Sequence, residues 1–188
     1  MDAALRISSK GKDMAHRLER IDLAQASGEQ LEVVTRLGAG RGRIPTPFNI
    51  WLHNPRLAAG MEIIGTYIDH APGLSEAENE VAILATAVFW NAPYVIANHS
   101  RHARKAGVPE DVVEALLDKH RPTPDEGRIG TVCAAVWDLL EGGTVEDAQF
   151  ERYVEILGRA AIAELLVVIG YFTSVSLAMT FHALEPKA

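Results

Sequence analysis

The sequence predicts an all-α fold, a single-domain bundle of about seven or eight helices. Three observations predict it. Apolar residues recur at three- and four-residue intervals along most of the chain, glycine and proline interrupt these runs, and no stretch alternates as a half-buried strand would. The 188 residues, 48% hydrophobic and 23% charged, suit one compact unit with its own core.

Taken in order, a polar helix is expected from Lys12 to Gln30, followed by a flexible loop, GAGRGRIPTP, through Pro47. The loop lacks the Lys-Ser/Thr ending of a phosphate loop, so its glycines read as flexibility. Residues 1–43 therefore form an N-terminal extension, and 44–188 the helical domain proper. A helix over Asn54–His70 has Pro55 in its first turn and turns Leu57, Met61, Ile64 and Ile68 to one side. Pro72-Gly73 ends it. Ser75 and Glu78 make a capping box for a helix reaching Trp90, which buries Val81, Leu84, Ala85 and Val88. Further helices follow from Pro93 to Gly107, Pro109 to Leu117, Pro124 to Leu140, and Val145 to Leu157 behind a Thr144 cap. The last, Ala160–His182, is apolar nearly all round and is expected to be central. Its segment Leu165–Leu184 carries no formal charge and has membrane-spanning length. Polar residues dilute it and no basic cluster flanks it closely, so it is read as a bundle or subunit-interface helix. Glu80-VAILATAVFW and Glu164-LLVVIGYFTS echo each other, each a glutamate opening an apolar helical run.

Composition excludes several functions. A net charge of -7 argues against a nucleic-acid partner, which needs a basic face. Cys133 is the only cysteine, so no intrachain disulfide or CxxC pair can form. The N-terminus shows no apolar leader region, and a reduced cytoplasmic setting is expected.

The segment Leu74–Pro109 carries an ordered set of features: Leu74-Ser75, Glu80, the aromatic turn Trp90 to Tyr94, His99, and Arg104-Lys105-Ala106-Gly107. This set resembles the signature of the carboxymuconolactone decarboxylase and alkylhydroperoxidase-D-like family. The flanking IPTPFNIWLHNPRLA and AELLVVIGYFTSVSLAM also resemble family helices, extending the likeness over about residues 44–185. The resemblance implies an alkylhydroperoxidase-D-like fold, a homo-oligomer, and a site around Glu80 and His99. Peroxide-reducing members carry a CxxC pair before the histidine, where this chain has Ala92 and Val95. Without a thiolate and a resolving partner, dithiol peroxidase activity is not expected. What remains resembles the cysteine-free branch, whose decarboxylases act on a lactone acid from aromatic breakdown.

Such chemistry asks for a group that stabilises an enolate and an acid that protonates carbon. His99 is the leading candidate acid/base, since imidazole exchanges protons near neutral pH. Glu80 is its orienting carboxylate or, alternatively, an acid favouring its own helix dipole. His102 lies one turn from His99. Together with Glu80 the two histidines match a loose metal pattern, but the resemblance implies no metal, and no cofactor is expected. Arg101, Arg104 and Lys105 form a basic edge, and Arg41 and Arg43 sit in the glycine-rich loop; each is a carboxylate anchor or a solvated charge. Trp90 and Tyr94 are read as pocket walls or core aromatics, with the Tyr94 hydroxyl a candidate oxyanion donor. His53 is expected to reach the same cavity, whereas Tyr171 and His182 read as packing residues. The expected ligand is a small carboxylate or lactone; a different acid/base enzyme (isomerase, cyclase or hydratase) and a silent oligomeric binding protein are the rivals.

Overall fold

The computed structural model describes residues 17–121 and 127–186, which contain nine helices and no strand. They are α1 (Gly28–Arg41), α2 (Phe48–Trp51), α3 (Pro55–Ile68), α4 (Glu76–Phe89), α5 (Pro93–Lys105), α6 (Glu110–Leu117), α7 (Arg128–Gly142), α8 (Asp147–Leu157) and α9 (Arg159–Phe181). The all-α class is as expected, and the extra element is the single turn α2, too short for periodicity to reveal.

The centre is α4. Val81 through Val88 are all buried, because α7 lies against one side of the helix and α5 and α9 against the others. Its start follows the sequence closely: the Ser75 side chain accepts from the Glu78 N–H, and Glu78 reaches back to the Ser75 N–H. Glu78 also takes two bonds from Arg128, at 2.6 and 3.2 Å. Burial opposes ionisation of the Glu78 carboxyl, but the Arg128 bonds and charge and the Ser75 N–H outweigh it, holding its pKa below the ordinary value. Arg128 donates further to the Gly73, Ile156 and Leu157 carbonyls. One guanidinium thus ties α7 to the α3–α4 turn and to the end of α8.

A second joint lies on the other side of Gly73. Its N–H donates to Glu164 Oε2 at 2.8 Å, while Tyr67 donates to Oε1 at 2.8 Å. Any side chain at position 73 would put its Cβ 2.7 Å from that carboxylate oxygen and 3.0 Å from the Ala161 Cα. A glycine is required by this close approach.

Three expectations are corrected. The N-terminal helix begins at Gly28, capped by Ser27 and Gln30, and runs through Gly38 and Gly40 to a left-handed Gly42. Val33 and Leu37 anchor it in the common core, and neither Gly38 nor Gly40 has a neighbour that a Cβ would touch. Tertiary burial therefore overrides glycine's low helix propensity, and this stretch is no flexible loop. Residues 12–16 and 124–126, parts of two expected helices, lie outside the described residues. On α3 the buried face is Ala58, Glu62, Gly65 and Ile68, whereas Leu57 and Ile64 point to solvent. Finally, α9 buries Leu165, Val168, Tyr171, Val175 and Met179 but exposes Leu166, Val167, Leu177 and Phe181. It is long and apolar enough to cross a membrane by length and composition, yet one side of it packs on α4, α5 and α8.

Candidate active site

Two helices and one turn build the site. Asn91 takes a left-handed conformation, φ 51°, which lets α5 begin at Pro93 almost directly after α4 ends. An asparagine tolerates that conformation better than most residues. The reversal lays α5 back along α4 and brings His99 against Glu80, nineteen positions earlier. Their atoms Nδ1 and Oε2 lie 2.8 Å apart, with both side chains mostly shielded, 18% and 14% exposed. An ionised carboxylate only accepts, so the ring nitrogen bound to it carries the proton and Nε2 is left for chemistry. The His99 ring also packs edge-on against Phe172 of α9, 5.1 Å between centroids. Hydrogen bond and aromatic wall together fix the ring.

His102, one turn further along α5, has Nδ1 3.8 Å from the other carboxylate oxygen, Oε1. Its side chain is half-exposed. Partial burial, with the His99, Arg101 and Lys105 charges, outweighs the pull of Glu80 and keeps its pKa below the ordinary value.

This cluster opens into a cavity of about 920 Å³, large enough for a small organic acid. Of the residues singled out from sequence, Glu80, His99, His102, Tyr94, Arg101, Lys105 and Arg43 line it. Trp90 and His53 do not. Trp90 ends α4 and turns away, its indole N–H donating to Thr173 Oγ1 at 2.9 Å and its ring stacking edge-on with Phe89. His53 follows α2 and its Nε2 meets the Glu19 carbonyl at 2.9 Å. The Arg41 side chain lies outside the described part, and Arg104 is spent on Glu110 and Glu114.

The cavity wall is mixed in charge. Arg43, Arg101 and Lys105 line it together with Asp69, Glu76 and Glu80. Arg101 is steadied along its own helix by the Ala97 carbonyl and Asn98 Oδ1 and has further N–H groups to offer. The Tyr94 hydroxyl lies 2.7 Å from Thr46 Oγ1, which couples the site to the segment before α2. Sequence reasoning missed Thr46, Asn98 and Tyr171. Tyr171 was expected to pack, and it does so against Trp51, but it also closes one side of the cavity. Nothing in a lone threonine or asparagine signals such a role.

Ala92 and Val95 stand where peroxide-reducing relatives carry cysteines; both are buried, and Val95 lines the cavity. Cys133 is buried in α7, where loss of solvation pushes its thiol up to about 12.

Residues 55–136 match the family model described as the carboxymuconolactone decarboxylase family. Over that segment the chain resembles the carboxymuconolactone decarboxylase family. The match holds α3 to α5 and with them the whole Glu80–His99–His102 cluster. No protein of curated function matches the chain significantly. Among solved structures, the chain is similar to the debrominase Bmp8 in its apo form, with a TM-score of 0.69, 13% identity, and 91% and 92% of the two chains covered. A cysteine-to-alanine variant of Bmp8 in complex with 2,3,4-tribromopyrrole gives a TM-score of 0.69, 14% identity and 91% of each chain. At such identity the likeness speaks for the fold, and it extends past residue 136 to α8 and α9.

Proposed function

We propose that the protein is an acid/base enzyme that decarboxylates a small carboxylate or lactone, the activity named in the description of the family whose model it matches. The observation that carries this reading is the shielded His99–Glu80 hydrogen bond at the wall of a cavity edged by arginine. Arg101 or Arg43 holds one carboxylate of the substrate. As the bond to the departing carbon dioxide breaks, its electron pair passes into the neighbouring carbonyl to give an enolate. The Tyr94 hydroxyl donates to that oxygen. Nε2 of protonated His99 then gives its proton to carbon, and Glu80 stabilises the imidazolium before transfer. The step needs no cofactor, and dithiol peroxide reduction is ruled out by the single cysteine. A thiolate at Cys133 is equally disfavoured, given its burial and its raised pKa. Halogenated pyrroles, bound by the Bmp8 variant, are for that reason a weaker substrate suggestion for this chain than organic acids.

We further propose a soluble, cytoplasmic homo-oligomer. The exposed apolar side chains Ile63 and Tyr67 on α3 and Leu166, Val167, Leu177 and Phe181 on α9 favour burial against a second copy. Sedimentation of the wild type and of Phe181→Asp checks this, a monomeric wild type counting against it.

The functional test is carbon dioxide release from carboxymuconolactone by the purified protein, with His99→Ala in parallel. Release that disappears in the variant supports the reading. Full activity in His99→Ala removes His99 from the mechanism, and no release from either moves the proposal to an isomerase, cyclase or hydratase on this scaffold, or to a silent binding protein.

A further inference from the structure

We propose that Glu80, His99 and His102 also form a binding site for a divalent first-row transition ion of the zinc class. One donor atom from each residue lies within 4.8 Å of the other two. The two carboxylate oxygens of Glu80 lie 2.8 Å (Oε2) from His99 Nδ1 and 3.8 Å (Oε1) from His102 Nδ1. Metal bonds of about 2.1 Å at tetrahedral angles put neighbouring donors roughly 3.4 Å apart, and the two distances straddle that value.

The chemistry of the donors selects the ion. Two imidazoles and one carboxylate suit zinc or ferrous iron, whereas magnesium and calcium prefer oxygen throughout. Three protein ligands from two packed helices leave a fourth position, and the cavity lies on that side. That is the open arrangement of catalytic rather than structural sites. His102 is half-exposed, so an ion can enter from the cavity without opening the core.

Occupancy and the proton pair exclude each other. In the ion-free protein Nδ1 of His99 donates to Glu80. In the loaded protein Nδ1 has given up that proton and turns its lone pair to the ion, and the ring proton sits on Nε2. The site therefore goes beyond the acid/base reading and does not rest on it.

The test is direct binding. The full-length protein, stripped with a chelator and dialysed, is titrated with Zn²⁺ by calorimetry, and with Co²⁺ followed by its visible absorption. We expect saturation at one ion per chain. Loss of a direct ligand costs at least what loss of an outer-shell partner does, about 10- to 100-fold in affinity, so His102→Ala and Glu80→Gln should each weaken binding by that much or more. His120→Ala, an exposed histidine away from the cavity, should bind as the wild type does. Because His102 sits at the surface, its removal leaves the fold intact, which circular dichroism checks. Absence of saturable one-to-one binding, or binding that survives both ligand substitutions, overturns the proposal. The readout is binding alone, so an inactive protein that binds Zn²⁺ in this way upholds the site while the decarboxylase reading fails.

Discussion

Glu80 and Glu164 open two similar apolar helical runs, yet the fold gives them opposite work. Glu164 spends both oxygens on fixed donors, the Gly73 N–H and the Tyr67 hydroxyl, and so joins α9 to the end of α3. Glu80 spends one oxygen on His99 and keeps the other at the edge of a cavity, 3.8 Å from His102. One carboxylate is satisfied by a backbone amide and a phenol, the other by an imidazole at a cavity wall. The difference teaches that a half-buried acid becomes chemistry or scaffold according to its partner. Its place in the sequence does not decide the matter.

Five outcomes test that contrast. The largest effect is expected at the cavity: His99→Ala should lower turnover by about a hundred- to ten-thousand-fold, with little change in the urea midpoint. At the joint the pattern should invert. Glu164→Leu leaves the Gly73 N–H without its acceptor and should cost about 1–3 kcal/mol in chemical denaturation, while the folded fraction keeps its activity. Gly73→Ala attacks the same joint sterically and should cost a similar amount, about 1–3 kcal/mol, because the Ala161 backbone cannot yield as a flexible side chain would. If either joint variant loses activity without losing stability, the contrast between the two glutamates fails.

A smaller effect follows from Glu78. Its folded-state pKa lies below the 4.5 of the free side chain, so its ionised form contributes stability that is complete above that value. The contribution is lost as pH falls from there through the folded-state pKa. Glu78→Gln should therefore flatten the acid limb of the stability–pH curve and leave the neutral region parallel to the wild type. The smallest effect is expected at His53. Held by the Glu19 carbonyl away from the cavity, His53→Ala should keep kcat/KM within about twofold of the wild type, as surface changes do.

Much of the fold was legible in the sequence because caps and breakers are local. Ser75 with Glu78, Pro93 and the glycine ends mark α4 and α5 to within a residue or two. The errors came where tertiary contacts decide. The glycines in GAGR are helical because Val33 and Leu37 hold α1 on the core, and the face of α3 rotates because α1 and α9 cover Ala58 and Glu62 instead of Leu57. The site was legible only in part. His99 and Glu80 stand on different helices, so no helical spacing links them, and the pairing came from the family resemblance. Trp90 was misplaced because a position at a helix end does not say which way the indole turns, and here Thr173 takes its N–H. The cluster's third member, His102, followed from one-turn spacing alone.

Cys133 has a consequence outside catalysis. It is the sole thiol, enclosed between α4 and its neighbours, and loss of solvation holds it protonated. An aqueous alkylating reagent can reach it only when the interior opens. The rate of labelling under native conditions therefore counts openings of the core, giving the protein a built-in clock for its own unfolding.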